Sequence, residues 1–262
     1  MQDFKGKIII VTGGAKGIGK GICLSFAEAG GNVMCNDIDT EAGAELAEGA
    51  KQIGGDIQFF EGDVSNSAVC KALVEATIDR WGSLDVLCNN VGIQPLNSYL
   101  PAHELPEEIW DRIIDVNLKS RFLMTKYSVP EMKRRGAGVI INIASVQGLQ
   151  SAHDIPAYAA SKGGDLSLVR QLALDYAPDN IRVLAVNPGT IETPLVVEAA
   201  EVMGRSLAEH KEDLSKVHPL GRIGQPADIG NVVRFLASEE AGFMTGEYVN
   251  VDGGLMAKGA WA

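Results

Sequence analysis

Short apolar runs alternate with longer amphipathic segments along the whole chain. The first run, residues 8–11, consists of three isoleucines and a valine, as expected for a strand that is buried on both faces of a sheet. Six similar runs follow, each separated from the last by a segment with helical spacing of apolar positions: residues 32–36, 57–60, 84–88, 139–143, 182–186 and 248–251. This alternation predicts an α/β fold, a doubly wound, seven-stranded parallel sheet with helices on both faces.

A glycine-rich turn follows the first predicted strand and leads directly into a helical segment. Its pattern is Thr12-Gly13-x-x-x-Gly17-x-Gly19. Glycine permits a tight turn and the close approach of a ligand, and the free N–H groups at the start of a helix attract phosphate. The turn therefore predicts a phosphate-binding site in a single Rossmann-like domain over residues 1–262, although a strand-to-helix connection without a ligand can have the same pattern.

The composition and charge of the chain exclude several classes of partner. The 262 residues include 23 Lys and Arg and 34 Asp and Glu, a formal net charge of −11, so we expect neither nucleic acid nor a membrane as a partner. The four cysteines lack a C-x-x-C pair or a histidine at metal-ligand spacing, which predicts buried thiols and no metal site. The sequence has no signal-peptide pattern and no apolar stretch of about 18 residues, which predicts a cytoplasmic protein.

A hydroxyl, a phenol and an ammonium group are predicted to meet at the carboxyl edge of the sheet. Ser145 follows the fifth predicted strand, and Tyr158 and Lys162 lie four positions apart on one face of the next helix. Oxidation of an alcohol requires a base for the hydroxyl proton, and Tyr158 is the candidate. The pKa of tyrosine, near 10, must fall by about 3 to lie near neutral pH. We assign this effect to the charge of Lys162 together with a bound nicotinamide, as the only nearby source of that size.

The glycine turn, Asn90, Asn117, Ser145 and the motif Tyr158-Ala-Ala-Ser-Lys162 occur in an order that resembles the short-chain dehydrogenase/reductase family over essentially the whole chain. The resemblance implies a catalytic tetrad of Asn117, Ser145, Tyr158 and Lys162. In this tetrad Ser145 stabilises the substrate oxygen. Lys162 also bonds the nicotinamide ribose, and Asn117 kinks its helix and holds a water beside Lys162.

The same resemblance, together with the glycine turn, implies the residues that contact the nucleotide. They are Gly13, Lys16, Gly17, Ile18, Gly19, Asp37, Asp63, Val64, Asn90, Gly92, Tyr158, Lys162, Pro188, Gly189, Ile191 and Thr193. Asp37, at the end of the second strand, is placed to bind the adenosine ribose and to repel a 2′-phosphate, which favours NAD. Lys16 favours NADP, but Asp37 lies nearer the 2′ position, so we predict NAD. Asp63 and Val64 border the adenine, although Asp63 can also cap the helix that starts near Ser65.

The predicted substrate is a small secondary alcohol or ketone. Candidate pocket residues are Gln94, Ser145, Gln147, His153 and Tyr158, a polar set that suits many hydroxyl groups. The stretches 89–94, 189–198 and 219–226 resemble the subgroup of L-fucose dehydrogenase and its hydroxysteroid-oxidising relatives, so we predict a sugar or polyol. Three alternatives stay open: solvent-facing positions for the glutamines and His153, an NADPH-dependent hydroxysteroid or 3-oxoacyl-type carbonyl reductase, and a non-catalytic dinucleotide-sensing protein.

Three further expectations concern assembly, a lid and the tail. Gly163 and Gly164 lie inside the helix of Tyr158 and indicate a close helix contact. The resemblance implies a contact across the interface of a homotetramer, which we favour, and the alternative is close packing on the protein's own sheet. Residues 190–218 resemble the family's substrate lid. The tail with Trp261 either reaches a neighbouring subunit or frays.

Overall fold

The computed structural model describes residues 3–258, and within them seven strands form one parallel sheet. The strands are β1 (Ile8–Thr12), β2 (Asn32–Asp37), β3 (Asp56–Glu61), β4 (Val86–Asn89), β5 (Gly138–Ile143), β6 (Ile181–Pro188) and β7 (Tyr248–Val251). Their order across the sheet is β3-β2-β1-β4-β5-β6-β7. The predicted sheet is confirmed, with boundaries within two residues of those expected. The end of the tail, with Trp261, lies outside the described residues.

Helices cover both faces of this sheet, as predicted. Within residues 3–258 they are α1 (Gly17–Glu28), α2 (Thr40–Gly49), α3 (Ser67–Trp81), α4 (Glu107–Ile114), α5 (Ser120–Arg135), α6 (Pro156–Tyr176), α7 (Pro194–Val202), α8 (Leu207–Lys216) and α9 (Pro226–Ala237). Apolar side chains of α1, α2 and α9 pack on one face, and those of α3, α5 and α6 on the other. All five residues of β1 are buried, because a parallel sheet between two helical layers has no solvent-exposed face.

Two helical segments differ from a single continuous helix. α4 and α5 are joined by a π-helical turn, Asp115–Lys119, which contains Asn117. The segment 195–218 divides into α7 and α8. The cysteines match the prediction, since all four are buried free thiols.

The strand order creates a crevice at the carboxyl edge of the sheet. From β1 the chain moves outward to β2 and β3, and it then returns to the other side of β1 as β4. Ligands of open α/β sheets bind outside the carboxyl ends of the strands at such a reversal. None of the helices within residues 3–258 is both long and apolar enough to cross a membrane.

Candidate active site

The glycine turn between β1 and α1 packs against the segments that follow β4 and β6. Gly13 and Gly17 have φ angles of +62° and +49°, in the region that other residues rarely adopt. A Cβ atom on Gly13 would lie 2.9 Å from the Cα atom of Val91, and one on Gly17 would lie 3.1 Å from the Cγ2 atom of Thr193. Both positions therefore favour glycine for conformation and for space.

The start of α1 is suited to bind a phosphate group. Lys16 precedes the first helical residue, and among the described residues no side chain caps this end of the helix. The first N–H groups of a helix have no partner inside it, so those near Ile18 and Gly19 are available to an anion. A Cβ atom on Gly19 would lie only 1.9 Å from the carbonyl oxygen of Gly13, so the turn closes tightly on itself. These features fit the pyrophosphate of a dinucleotide.

Asp37 ends β2 and its carboxylate reaches back to the glycine turn. Its Oδ2 atom accepts a hydrogen bond of 3.0 Å from the N–H group of Ala15. Its Oδ1 atom accepts from the N–H groups of Ile38 and Asp39, at 2.8 and 3.1 Å. The carboxylate is thus fixed beside the turn, in a position compatible with the predicted contact to the adenosine ribose.

Lys16, the residue that favours NADP in the prediction, forms an ion pair. Its Nζ atom lies 2.5 Å from Oδ2 of Asp39. Asp39 also caps α2 by accepting a hydrogen bond of 3.0 Å from the N–H group of Ala42. The hydrogen bond with Asp39 and the charge of that carboxylate raise the pKa of Lys16. The carboxylate offsets the positive charge that Lys16 presents beside the turn.

Asp63 and Val64 follow β3. The carboxylate of Asp63 accepts hydrogen bonds from the N–H group of Ser65 and from the guanidinium of Arg112, both at 2.9 Å. The alternative in which Asp63 caps the next helix is wrong, because Asn66 is the N-cap of α3 and accepts from Ala68 at 2.9 Å. Val64 is buried in the core.

The two asparagines at the end of β4 join three strands. Asn89 donates a hydrogen bond of 2.9 Å to Oδ1 of Asn142 on β5. Asn90 donates to the carbonyl oxygens of Thr12 and Gly13, at 3.0 and 2.8 Å. The pair therefore ties the central strands of the sheet together, and Asn90 also fixes the first residue of the glycine turn.

Asn117 is held inside the π-helical turn by the loop that follows β4. Its Oδ1 atom accepts from the N–H group of Ile93 at 2.8 Å, and its Nδ2 atom donates to the carbonyl of Ile93 at 2.9 Å. The predicted distortion of the helix at Asn117 is confirmed. A Cβ atom on Gly92 would lie 3.5 Å from Nζ of Lys162 and 3.7 Å from Oδ1 of Asn117, so Gly92 borders both side chains.

Ser145, Tyr158 and Lys162 come together where β5 ends and α6 begins. Ser145 is buried, and its Oγ atom accepts a hydrogen bond of 3.1 Å from the N–H group of Gln147. The Nζ atom of Lys162 lies 5.6 Å from the centroid of the half-buried Tyr158 ring. The same Nζ atom donates to the carbonyl oxygen of Ile143 at 2.8 Å. A hydroxyl, a phenol and an amine are therefore close enough to act on one substrate.

The electrostatics of this group differ from the prediction. Burial, and to a smaller extent the positive charge of Arg121, lower the pKa of Lys162 to about 7 against an opposing effect of Asp165. Burial raises the pKa of Tyr158, while a hydrogen bond with Ser145 and the charge of Arg121 act in the opposite direction. Arg121, which the sequence reasoning did not name, is therefore a second protein cation that acts to lower the pKa of Tyr158.

Arg121 and Asp165 are site neighbours that the sequence reasoning missed. Both side chains are completely buried, although they are charged. The signal was present in the spacing, because Arg121 lies four positions after Asn117 and Asp165 lies three positions after Lys162. At these spacings helical side chains share a face, so both residues were candidates for contact with the site.

The segment after β6 faces the glycine turn. Pro188 ends β6, and the N–H group of Gly189 donates to the carbonyl of Val251 at 3.1 Å. Ile191 is buried and pairs through the backbone with Gly224. Thr193 lies against Gly17, as the close approach described above shows. The structure thus brings Thr193, one of the predicted nucleotide contacts after β6, against Gly17 of the glycine turn.

The candidate substrate residues are less uniformly placed. Gln94 is half-buried in the loop after β4. Gln147 uses its Oε1 atom to accept a hydrogen bond of 2.8 Å from the N–H group of Ala152. His153, which follows Ala152 in the chain, is exposed, so the alternative that it faces solvent stays open.

Glu192, which lies before α7, links α8 to the residue that precedes α9. Glu192 forms an ion pair with Lys211 of α8, and it accepts a hydrogen bond of 2.9 Å from Nε2 of Gln225. Side-chain bonds of this kind can break and re-form with little cost.

The buried position of Lys162 predicts a pH-dependent effect on stability. An unfolded lysine titrates near pH 10.4, so between about pH 7 and pH 10 the unfolded state binds more protons and stability rises with pH. We expect Lys162→Met to raise the free energy of unfolding by a few kcal/mol at pH 6, and by much less at pH 9.5. Urea unfolding at both pH values measures the difference. Lys126→Met, at an exposed lysine beside Tyr127, is the control, and a pH-independent effect of Lys162→Met would contradict the expectation.

Comparisons with known proteins agree with this geometry. A family model described as enoyl-(acyl carrier protein) reductase matches residues 13–256. An oxidoreductase of Thermotoga maritima is 41% identical, over 97% of both chains, and cyclohexanol dehydrogenase of Acinetobacter sp. strain SE19 is 36% identical, over 98% of both. The solved structure of aldohexose dehydrogenase from Thermoplasma acidophilum superposes with a TM-score of 0.87 at 36% identity, over 99% of this chain and 96% of that one.

The fold, the order of the site residues and these relatives lead to one assignment. The family model covers most of the chain, and the relatives cover nearly all of it from end to end. The chain belongs to the short-chain dehydrogenase/reductase family and is an oxidoreductase similar to the alcohol dehydrogenases of that family.

Proposed function

We propose that this protein is an NAD-dependent dehydrogenase that oxidises a secondary alcohol of a sugar or polyol to the ketone, with Asn117, Ser145, Tyr158 and Lys162 as the catalytic group. The observation that carries the proposal is the meeting of Ser145, Tyr158 and Lys162 at the carboxyl edge of the sheet, beside the glycine turn. A bound nicotinamide supplies the acceptor for the hydrogen and electron pair that leave the alcohol carbon.

Tyr158 acts as the base of this reaction. Its phenolate takes the hydroxyl proton of the alcohol as the C–H bond breaks, and Ser145 donates a hydrogen bond to the substrate oxygen. Lys162 then passes a proton toward solvent, since an amine with a pKa of about 7 exchanges protons readily at neutral pH. Asn117 fixes the backbone of Ile93, and the loop at that point borders the amine of Lys162.

The preference for NAD over NADP is part of the proposal. Two carboxylates, Asp37 and Asp39, lie at the end of β2, where a 2′-phosphate would be bound. The single nearby ammonium, that of Lys16 within the described residues, is paired with Asp39. The balance of charge thus disfavours an additional phosphate.

The substrate class is supported by the chemistry of the predicted substrate residues and by one solved relative. Gln94, Gln147 and His153 offer amide and imidazole groups to hydroxyls, and the relative from Thermoplasma acidophilum is an aldohexose dehydrogenase. The second candidate is an NADPH-dependent carbonyl reductase, because Lys16 remains about half-exposed beside the glycine turn and the family model is described as a reductase.

We also propose a cytoplasmic homotetramer with residues 190–218 as a substrate lid. Four free buried thiols suit a reducing compartment. The exposed apolar side chains of Phe122 on α5 and Leu174 on α6 support an interface on these helices. The glycines of α6 support it less, since Gly164 lies against the protein's own Leu118: a Cβ atom on Gly164 would lie 2.9 Å from Cδ2 of that residue.

A substrate panel tests this function. We expect sugars or polyols, among a set that also includes cyclic alcohols, steroid alcohols and hydroxyacids, to give the fastest growth of NADH absorbance. Faster reaction with cyclic or steroid alcohols would move the substrate assignment to those classes. The absence of turnover with every alcohol and both dinucleotides, while the dinucleotides still bind, would overturn the proposal in favour of a sensing protein.

A further inference from the structure

A completely buried ion pair lies beneath the candidate active site and has no part in the roles proposed above. Arg121 projects from α5 and Asp165 from α6, and the Nε atom of Arg121 lies 3.4 Å from Oδ2 of Asp165. Neither side chain has exposed surface. A buried ion pair contributes little net stability on average, because removing two charges from water is costly. Its position is therefore the feature to explain.

Arg121 and Lys162 are connected through one carbonyl group. The Nη2 atom of Arg121 donates to the oxygen of Ile143 at 3.4 Å, and Nζ of Lys162 donates to the same oxygen at 2.8 Å. Arg121 also donates to the carbonyl of Val91, which adjoins Gly92, and to Oγ of Ser120 at 3.1 Å. The guanidinium is thus held by backbone acceptors in addition to Asp165, and two cations share one acceptor at the end of β5.

Asp165 is fixed to the centre of the sheet. Its Oδ1 atom accepts a hydrogen bond of 2.6 Å from Nδ2 of Asn142 on β5, and Asn142 in turn accepts one of 2.9 Å from Asn89 on β4. These bonds leave the carboxylate little freedom to turn away from Arg121. Lys162 lies about one helical turn before Asp165 on α6. The two charges of the pair are therefore held at constant positions relative to Lys162.

The sign of these charges determines their effect on the site. A guanidinium keeps its proton at any ordinary pH, so Arg121 favours the neutral amine of Lys162 and the phenolate of Tyr158. Asp165 has the opposite effect on Lys162. Among the described residues, the other titratable group that affects Tyr158 is Tyr99, from the loop after β4.

We propose that Arg121 and Asp165 are positioning residues whose opposed charges set the pH at which Lys162 and Tyr158 exchange protons. This inference rests on the proposed function for its consequence, since a proton relay works best when its groups titrate near the working pH. The pair acts through Lys162 and Tyr158 and does not itself contact the substrate.

The test measures the titration of Lys162 directly, in the protein without cofactor or substrate. Labelled-lysine NMR follows the resonance that titrates near pH 7 and is missing in Lys162→Met. In Asp165→Asn, Asn142 keeps its acceptor while Arg121 loses its counter-charge, so we expect a lower midpoint than in the wild type. In Arg121→Met/Asp165→Asn both charges are gone, and we expect a higher midpoint than in the wild type, with about one pH unit or more between the two variants.

Controls separate an electrostatic effect from a structural one. Arg182→Met removes a partly buried arginine elsewhere in the fold, one that donates to the carbonyls of Leu236 and Ser238, and we expect it to alter the melting temperature without moving the Lys162 midpoint. Equal midpoints in the wild type and both pair variants would overturn the inference, whatever their melting temperatures. A further outcome is that the protein shows the expected order of midpoints, lowest in Asp165→Asn and highest in the double variant, and yet oxidises no alcohol. That result would support the inference and overturn only the proposed function.

Discussion

Tyr158→Phe is expected to lose about 10²–10⁴-fold in kcat/KM for alcohol oxidation while it still binds NADH. The substitution removes one oxygen atom and keeps the ring that packs near Nζ of Lys162, so the fold and the nucleotide site should be unchanged. The alcohol then has no group to take its proton when the C–H bond breaks. Turnover is measured by NADH absorbance and binding by the fluorescence of added NADH.

Tyr176→Phe is the matched control for this substitution. Tyr176 ends the same helix, ~27 Å farther along its axis, and its ring lies beneath Nζ of Lys133. We expect Tyr176→Phe to retain wild-type turnover. Normal turnover in Tyr158→Phe would remove the base from the mechanism, and loss of NADH binding would place Tyr158 in the cofactor site alone.

The second large effect concerns the choice between NAD and NADP. We expect the wild type to prefer NAD, and Asp37→Asn combined with Asp39→Asn to raise kcat/KM with NADP by roughly 100-fold. Two unit charges a few Å apart near a protein surface interact with about 3 kcal/mol, which is of that size. The double variant removes two negative charges and releases the ammonium of Lys16 to meet the 2′-phosphate.

Each of these carboxylates can be tested separately. Asp37→Asn alone should reduce the repulsion, and Asp39→Asn alone should release Lys16, so each should produce part of the effect. Asp56→Asn is the control, since Asp56 begins β3 at the amino edge of the sheet, away from the carboxyl edge where Asp37 lies, and pairs with Arg80. A wild type that oxidises its alcohol faster with NADP than with NAD at equal concentration would contradict the assignment of Asp37.

Much of the fold was predictable because its signals are local. The isoleucine run of β1 requires a strand with two covered faces, and Gly13 and Gly17 mark backbone angles that few other residues adopt. The spacing of Tyr158 and Lys162 places both on one face of α6, and the structure has both beside Ser145. Each of these inferences needed only a few consecutive residues.

The features that could not be predicted depend on contacts between distant parts of the chain. The separation of Arg121 and Asp165 is 44 residues, and nothing in either local sequence says that the two side chains point at each other. The pairing of Lys16 with Asp39 likewise depends on how α1 and α2 begin, side by side at the sheet edge. Charge effects on Tyr158 were misjudged for this reason, because the number of nearby cations is a property of the folded core.

The most direct test of the central claim follows one hydrogen atom. The best alcohol of the substrate panel, labelled with deuterium on its hydroxyl-bearing carbon, is incubated with NAD and the protein, and the dinucleotide is analysed by mass spectrometry. We expect one deuterium in each reduced dinucleotide, formed by the wild type and by Tyr176→Phe but scarcely by Tyr158→Phe over the same time. Reduced dinucleotide without deuterium, or equal amounts from Tyr158→Phe, would contradict hydride transfer assisted by this phenol.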